Sequence, residues 1–131
     1  MKYYRLIAAA AALLACLLCA ASCGSYGTEE TVIAVITKGT TSEFWRNVRA
    51  GVNAAALENN VTATFIGPDN EEDYAAQNRM IANAVDAGVD AIVFSAVDRY
   101  QSKRSMEDAV RRGVKVILID SGVDTELAET F

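Results

Sequence analysis

Four short apolar runs separated by three stretches of helical length predict an α/β protein built on a doubly wound parallel sheet. The runs cover residues 32–36 (VIAVI), 62–66 (TATFI), 91–94 (AIVF) and 114–119 (VKVILI). They are rich in β-branched residues and do not alternate strictly with polar ones, which is the pattern of strands buried on both faces. Short right-handed crossovers then restrict the alternating β-α-β-α-β-α-β order to a doubly wound sheet. The chain has 131 residues, 52% apolar and 22% charged, with a formal net charge of −5. That length allows one ordinary domain. That balance excludes a disordered chain and a nucleic-acid binder that relies on bulk positive charge.

Each element has a local reason. The first strand, 32–36, begins abruptly after a polar stretch. The first helix, 42–58, opens at Ser42, a capping residue type, with Phe44, Val48, Val52 and Ala55 on one stripe at steps of three or four. The second strand is 62–66. The second helix, 72–87, starts after Asn70 or Glu71, carries Tyr74, Asn78, Ile81 and Val85 on its stripe, and stops at Gly88. The third strand is 91–94. The third helix, 101–112, takes Asp98 as its cap, points Met106, Ala109 and Val110 inward, and ends at Gly113, a C′ glycine. The fourth strand is 114–119.

The first 22 residues read as a signal peptide. Lys2 and Arg5 precede an unbroken apolar run from Leu6 to Ala21. The run is shorter than the about 20 residues a spanning helix needs and long enough for a signal core. Ala20-Ala21-Ser22-Cys23 then resembles a bacterial lipobox, with Ala20 where a larger aliphatic residue is usual. Cys23 would be lipidated and become the first mature residue. Leu13-Leu14-Ala15-Cys16 fits loosely too, and an uncleaved anchor helix is the competing reading. Residues 23–31 read as a tether.

Function must come from the loops after the strands, because open α/β sheets bind ligands outside the strand carboxyl ends. There is no histidine, and all three cysteines lie at 16, 19 and 23. The body therefore has no zinc site of the usual kind, no disulfide and no Cys–His or Ser–His nucleophile pair. The loop after the first strand, 37–42 (TKGTTS), has one glycine and fits neither a dinucleotide nor a triphosphate motif. A phospho-accepting receiver would need paired acids there and an aspartate at Ser95. The loop's hydroxyls at a helix N-terminus could cradle an anion such as a flavin phosphate.

Glu43-Phe44-Trp45 points elsewhere. Adjacent helix positions lie about 100° apart, so one ring packs under the sheet edge while the other faces the cleft. Trp45 is expected to face the cleft and to converge there with Ser95, Asp120 and Ser121. An aromatic plane beside carboxylates and hydroxyls is what a sugar needs, since its C–H face is apolar and its rim polar. The structural alternatives are that both rings are core, that Asp120 is a solvated turn acid, and that Ser95 and Asp98 only hold their loops.

Residues 31–123 resemble the N-terminal lobe of the periplasmic sugar-binding proteins of ABC transporters, the ribose- and galactose-type group. The carrying segments are VIAVITKGTTSEFWRNVRAGVNAAA, TATFIGPDNEEDYAAQNRMIANAVDAGVDAIVFSAVD and GVKVILIDS. The resemblance implies a flavodoxin-like strand order and one lobe of a two-lobe fold spanning 32–131. It also implies ring stacking by Phe44 and Trp45, hydrogen bonding by Thr41 or Ser42, and a grip on two hydroxyls by Asp120. The family often has Asn-Pro where this chain has Ser42-Glu43 and Ser95-Ala96, and commonly arginine where it has Ser121. Members are about twice this length, so the sequence reads as a truncated one, expected to bind its ligand weakly and to leave a sheet edge open; a stand-alone single lobe is the competing reading.

The expectation is thus a non-enzymatic solute-binding lipoprotein, without cofactor or metal. It would be acylated (palmitate) at Cys23 on the periplasmic or extracellular face of the cell membrane and would pass a sugar to an ABC transporter permease. Ligand contacts are expected from Thr41, Ser42, Phe44, Trp45, Ser95, Asp120 and Ser121. The alternatives are a flavodoxin-like FMN or phosphate-binding redox protein and a surface sensor lobe signalling to a partner.

Overall fold

The computed structural model describes residues 30–130. The signal segment, Cys23 and most of the tether lie outside them. Eight elements follow in order: β1 (Val32–Ile36), α1 (Glu43–Asn59), β2 (Thr62–Ile66), α2 (Tyr74–Asp86), β3 (Ala91–Phe94), α3 (Lys103–Arg111), β4 (Lys115–Leu118) and β5 (Glu129–Thr130). All pairings are parallel, in the order β2-β1-β3-β4-β5. This is the predicted doubly wound sheet with the flavodoxin-like order.

Strand ends are level. Ile36 pairs with both Ile66 and Phe94, and Phe94 with Leu118. Ladder-like bonds continue one step beyond, from Thr37 N to Ile66 O, Ser95 N to Ile36 O and Ile119 N to Phe94 O, at 2.9–3.0 Å. The loops after β1, β3 and β4 therefore leave the sheet at one height and form a common rim.

The two faces differ. Ala34, Ile36, Ile92, Phe94, Val116 and Leu118 meet Ile81, Ala84 and Val85 of α2 and Met106 and Ala109 of α3 in one closed core. On the opposite face α1 packs over β2, where Arg49 lies over the Phe65 ring at 5.0 Å. There Val35 and Trp45 are buried, while Ile33, Val93 and Ile117 are only half-buried.

Helix ends follow capping chemistry, with shifts from expectation. Ser42 caps α1 as predicted, its Oγ accepting from Trp45 N at 3.3 Å, and Asn60 ends that helix in the left-handed region. Asp73, not Asn70 or Glu71, caps α2, accepting from Ala76 N at 2.7 Å. Asn70 instead closes the preceding turn by accepting from Glu72 N. Asp98 does the same before α3, accepting from the N–H groups of Tyr100 and Gln101, so α3 starts later, after Ser102. The last two-residue strand, β5, was not predicted.

Two buried stripes are also displaced. On α1 the inward residues are Trp45, Val48, Val52 and Ala56, whereas Phe44 and Ala55 are exposed. On α2 Gln77 replaces Tyr74 and Asn78 beside Ile81, Ala84 and Val85. The cause is the sheet end. Gln77 is fully buried; its Nε2 donates to Thr37 O and Ser95 O, both at 2.9 Å, and its Oε1 accepts from Val97 N at 2.9 Å. Those three backbone groups lie at or past the strand tips, and one carboxamide satisfies all of them.

Gln77→Ala should lower unfolding free energy by roughly 3 kcal/mol, about 1 kcal/mol for each hydrogen bond lost. Gln77→Glu should not rescue it, because a carboxylate cannot donate to two carbonyls. Urea unfolding midpoints measure both; a wild-type midpoint for Gln77→Ala would show that the three backbone groups do not depend on the amide.

Candidate functional site

The rim is assembled from backbone contacts outward. Thr37 at the tip of β1 is completely buried, its hydroxyl donating to Gly39 O at 2.7 Å. The loop after β2 presses against it: a Cβ on Gly67 would lie 2.9 Å from Thr37 O and 3.1 Å from the Gly39 backbone. Only a glycine allows that approach. The contact brings Glu71 over Gly39, where its Oε1 also accepts from Trp45 Nε1 at 3.1 Å.

This settles how the two rings divide. Trp45 is 3% exposed, inside the α1–sheet layer, because its indole N–H finds its partner in Glu71. Phe44 is 56% exposed and meets Trp45 edge-to-face, centroids 4.7 Å apart at 76°. Contrary to the expectation, the exposed ring is therefore Phe44, and Trp45 is buried behind it. Thr41 and Ser42 are exposed at the start of α1. Ser42 Oγ is committed to the cap, and Thr41 offers its carbonyl to Arg46 Nη1 at 2.8 Å.

A second group forms across β1, β3 and β4. Asp120 has φ +57°, left-handed backbone that aspartate tolerates better than most residues. Its Oδ2 accepts from Ser95 Oγ at 2.9 Å and Ser121 Oγ at 3.1 Å, and meets Lys38 Nζ at 2.8 Å. Ser121 Oγ also lies 3.0 Å from Ala96 O, and Ala96 N donates to Ser121 O at 2.9 Å, so the tips of β3 and β4 are joined twice. Ser95 is fully buried and serves as a support for Asp120. Among the described residues no hydrogen bond or ion pair reaches Asp120 Oδ1. Beside this cluster opens a depression of about 420 Å³, lined by Lys38, Ala96, Val97, Arg99, Ser121 and Gly122.

The structure thus joins Ser95, Asp120 and Ser121 directly and sets Thr41, Ser42 and Phe44 on the same rim. Lys38, Glu71 and Gln77 escaped the sequence reading. Lys38 had one signal, a charged residue one place beyond a buried strand tip. Gln77 had another, its position four before Ile81. The phosphate-cradle alternative loses its basis, because Thr37 is turned inward and Ser42 caps the helix.

The Lys38 ammonium holds the Asp120 carboxyl below the usual carboxylate range; burial opposes the shift, and the Ser95 and Ser121 hydroxyls add to it. Asp98 is lowered too, by the Gln101 and Tyr100 N–H groups. A carboxyl lowered in the folded state stabilises it above the unfolded pKa and loses that contribution as pH falls through the folded one. In a carbon-13 NMR titration, Lys38→Met should raise the Asp120 pKa toward the ordinary value and shrink the acid-side loss of stability. An unchanged titration would show that Lys38 does not govern this carboxylate.

Comparison with known proteins agrees with this architecture. The family described as periplasmic binding protein domain matches residues 33–130. The chain is similar to the ABC transporter periplasmic-binding protein YphF of Escherichia coli K12, with 29% identity over 91 residues, covering 70% of this chain and 28% of that protein. The chain therefore spans less than a third of that curated relative. Its fold matches a sugar transporter from Clostridium phytofermentans (TM-score 0.73, 31% identity, 76% of this chain and 37% of that one). It also matches a carbohydrate transporter solute-binding protein from Agrobacterium radiobacter in complex with D-arabinose (TM-score 0.73, 32% identity, 76% and 34%). With a parallel sheet of this order and a match running from β1 to β5, the chain belongs to the periplasmic binding protein domain family.

Proposed function

We propose that residues 32–131 form the N-terminal, ligand-receiving lobe of an extracytoplasmic solute-binding protein. It captures a sugar or a similar small polar ligand for an ABC transporter permease. One observation carries this: the exposed Phe44 ring and the Asp120 carboxylate stand on the same rim of the sheet. An apolar plane can take the C–H face of a sugar, and the Oδ1 oxygen can accept from its hydroxyls. Ser95, buried beneath Asp120, and Trp45, behind Phe44, act as supports. Thr41 and Ser42 lie exposed at the start of α1, and Ser121 lines the depression beside Asp120. The solute-binding, transport-associated character of the family and the sugar ligand of the Agrobacterium neighbour support the reading, and it is non-enzymatic. Residues 1–22 are the lipoprotein signal peptide, and Cys23 carries the lipid that holds residues 23–31 as a tether to the membrane.

The test is an NMR titration of the chain with D-arabinose, D-ribose and D-allose into the millimolar range. Rim amides after β1, β3 and β4 should shift. Phe44→Ala should weaken binding by about 1–3 kcal/mol, the scale of an aromatic contact with its burial, and leave stability within about 0.5 kcal/mol. Trp45→Ala should instead cost about 3–5 kcal/mol of stability, as large core truncations do. No shift with any of the three sugars would sink the sugar reading.

The anchor has its own check. One acyl chain holds a protein to a membrane only marginally, so a di- or triacylated Cys23 is required. Mass spectrometry of the mature N-terminus from a lipoprotein-processing bacterium should find it; retention of residues 1–22, or an unmodified start elsewhere, removes the anchor.

A further inference from the structure

Among the described residues, two buried side-chain polar atoms find no hydrogen-bond partner: Asn78 Oδ1 and Ser102 Oγ. Both belong to the seam between α2 and α3. Asn78 Nδ2 donates to Gln101 O at 3.1 Å, and Ser102 is the next residue. That bond fixes the amide's orientation. A carbonyl only accepts, so Nδ2 must face Gln101, and Oδ1 is left on the buried side. Ser102 stands at the start of α3, completely buried, and its side chain makes no cap bond. Buried polar atoms without partners cost free energy, and folded proteins carry few of them.

A groove of about 350 Å³ runs along the same seam, lined by Ile81 and Asp86 of α2, Ser105 of α3 and Arg112. Ile81 comes three residues after Asn78, and Ser105 three after Ser102, about one helical turn further along in each case. The groove therefore ends beside the two unpaired atoms, with Ser105 at its head. Its other end is crossed by the Arg112–Asp86 ion pair at 2.6 Å.

We propose that the head of this groove is a binding site for one water molecule, which bridges Asn78 Oδ1 and Ser102 Oγ. The ligand must donate to Asn78, since a carbonyl oxygen offers no proton. That excludes an anion. A water donates there, and its second proton or a lone pair meets the Ser102 hydroxyl. Two polar partners are the minimum a buried water needs, and the groove supplies the way in.

The bridge ties α2 to the start of α3 behind the loop that follows β3. Gln77 holds that loop at its start, through Val97 N, and Asn78 holds it at its end, through Gln101 O. Val97 and Arg99, within that span, line the depression beside Asp120. The water thus sits behind one wall of the depression.

A high-resolution crystal structure of the chain reads the site directly. It should show one ordered water within hydrogen-bonding distance of both Asn78 Oδ1 and Ser102 Oγ. Ser102→Ala gives a second reading through the sign of its effect. The Ser102 side chain makes no cap bond, so the substitution removes only the hydroxyl. A hydroxyl that holds a water is lost at a cost, and the urea midpoint should fall. A dry hydroxyl is an unpaired polar group, and its removal would raise the midpoint. Amide spectra confirm that the variant is folded. A site without water in the crystal, or a Ser102→Ala midpoint at or above that of wild type, overturns the inference.

Discussion

The three hydrogen bonds of Gln77 join places that the ladder itself leaves apart. β1 and β3 are neighbours, and past their last residues the chain turns away toward opposite faces of the sheet. Thr37 O and Ser95 O are left pointing into an apolar interior, where an unpaired carbonyl costs on the order of 1–3 kcal/mol. Gln77, rising from α2, donates to both and receives Val97 N in return. The two loops are thereby held at one spacing. Lys38 is one residue beyond the first of these carbonyls, and Ser95 carries the second. The distance from Lys38 to Asp120, and the hydroxyl that supports Asp120 from below, both depend on an amide that no ligand touches.

The closed core and the thin layer divide the work between them. α2 and α3 meet the sheet through fully buried Ile81, Met106 and Ala109, and that face carries most of the apolar burial. α1 is attached more lightly. Trp45 is its one fully buried side chain among half-exposed Val48, Val52 and Ala56. Its indole bond to Glu71, together with the Ser42 cap, fixes where the helix begins. The helix that presents Phe44 is thus positioned at its first turn, close to the rim.

Strand identity was legible because burial on both faces writes continuous apolar runs; β1, β2 and β3 match their expected bounds. The helices were legible in existence but not in facing. Hydrophobicity ranks Phe44 with Trp45 and Tyr74 above Gln77, yet hydrogen-bond demand at the sheet end decided both cases. It buried the ring with an N–H and the side chain with a carboxamide. β5 was invisible because two residues, Glu129 and Thr130, carry no period. Of the site, Asp120, Ser95 and Ser121 could be read from their places after strands. Lys38 stood out only as a charge just past a strand tip; nothing in local sequence says that it will reach across to the β4 loop.

The left-handed backbone at Asp120 narrows what this position can become. At φ +57° glycine, asparagine and aspartate are the residues accommodated with least strain. The carboxylate can be neutralised or deleted there with little added strain, whereas lengthening it to glutamate would add backbone strain of about 1 kcal/mol. Lys38 and Ser121 carry no such restriction, as neither has positive φ. The backbone therefore limits substitution at the acid more than at its two neighbours, where the side-chain bonds alone decide what fits.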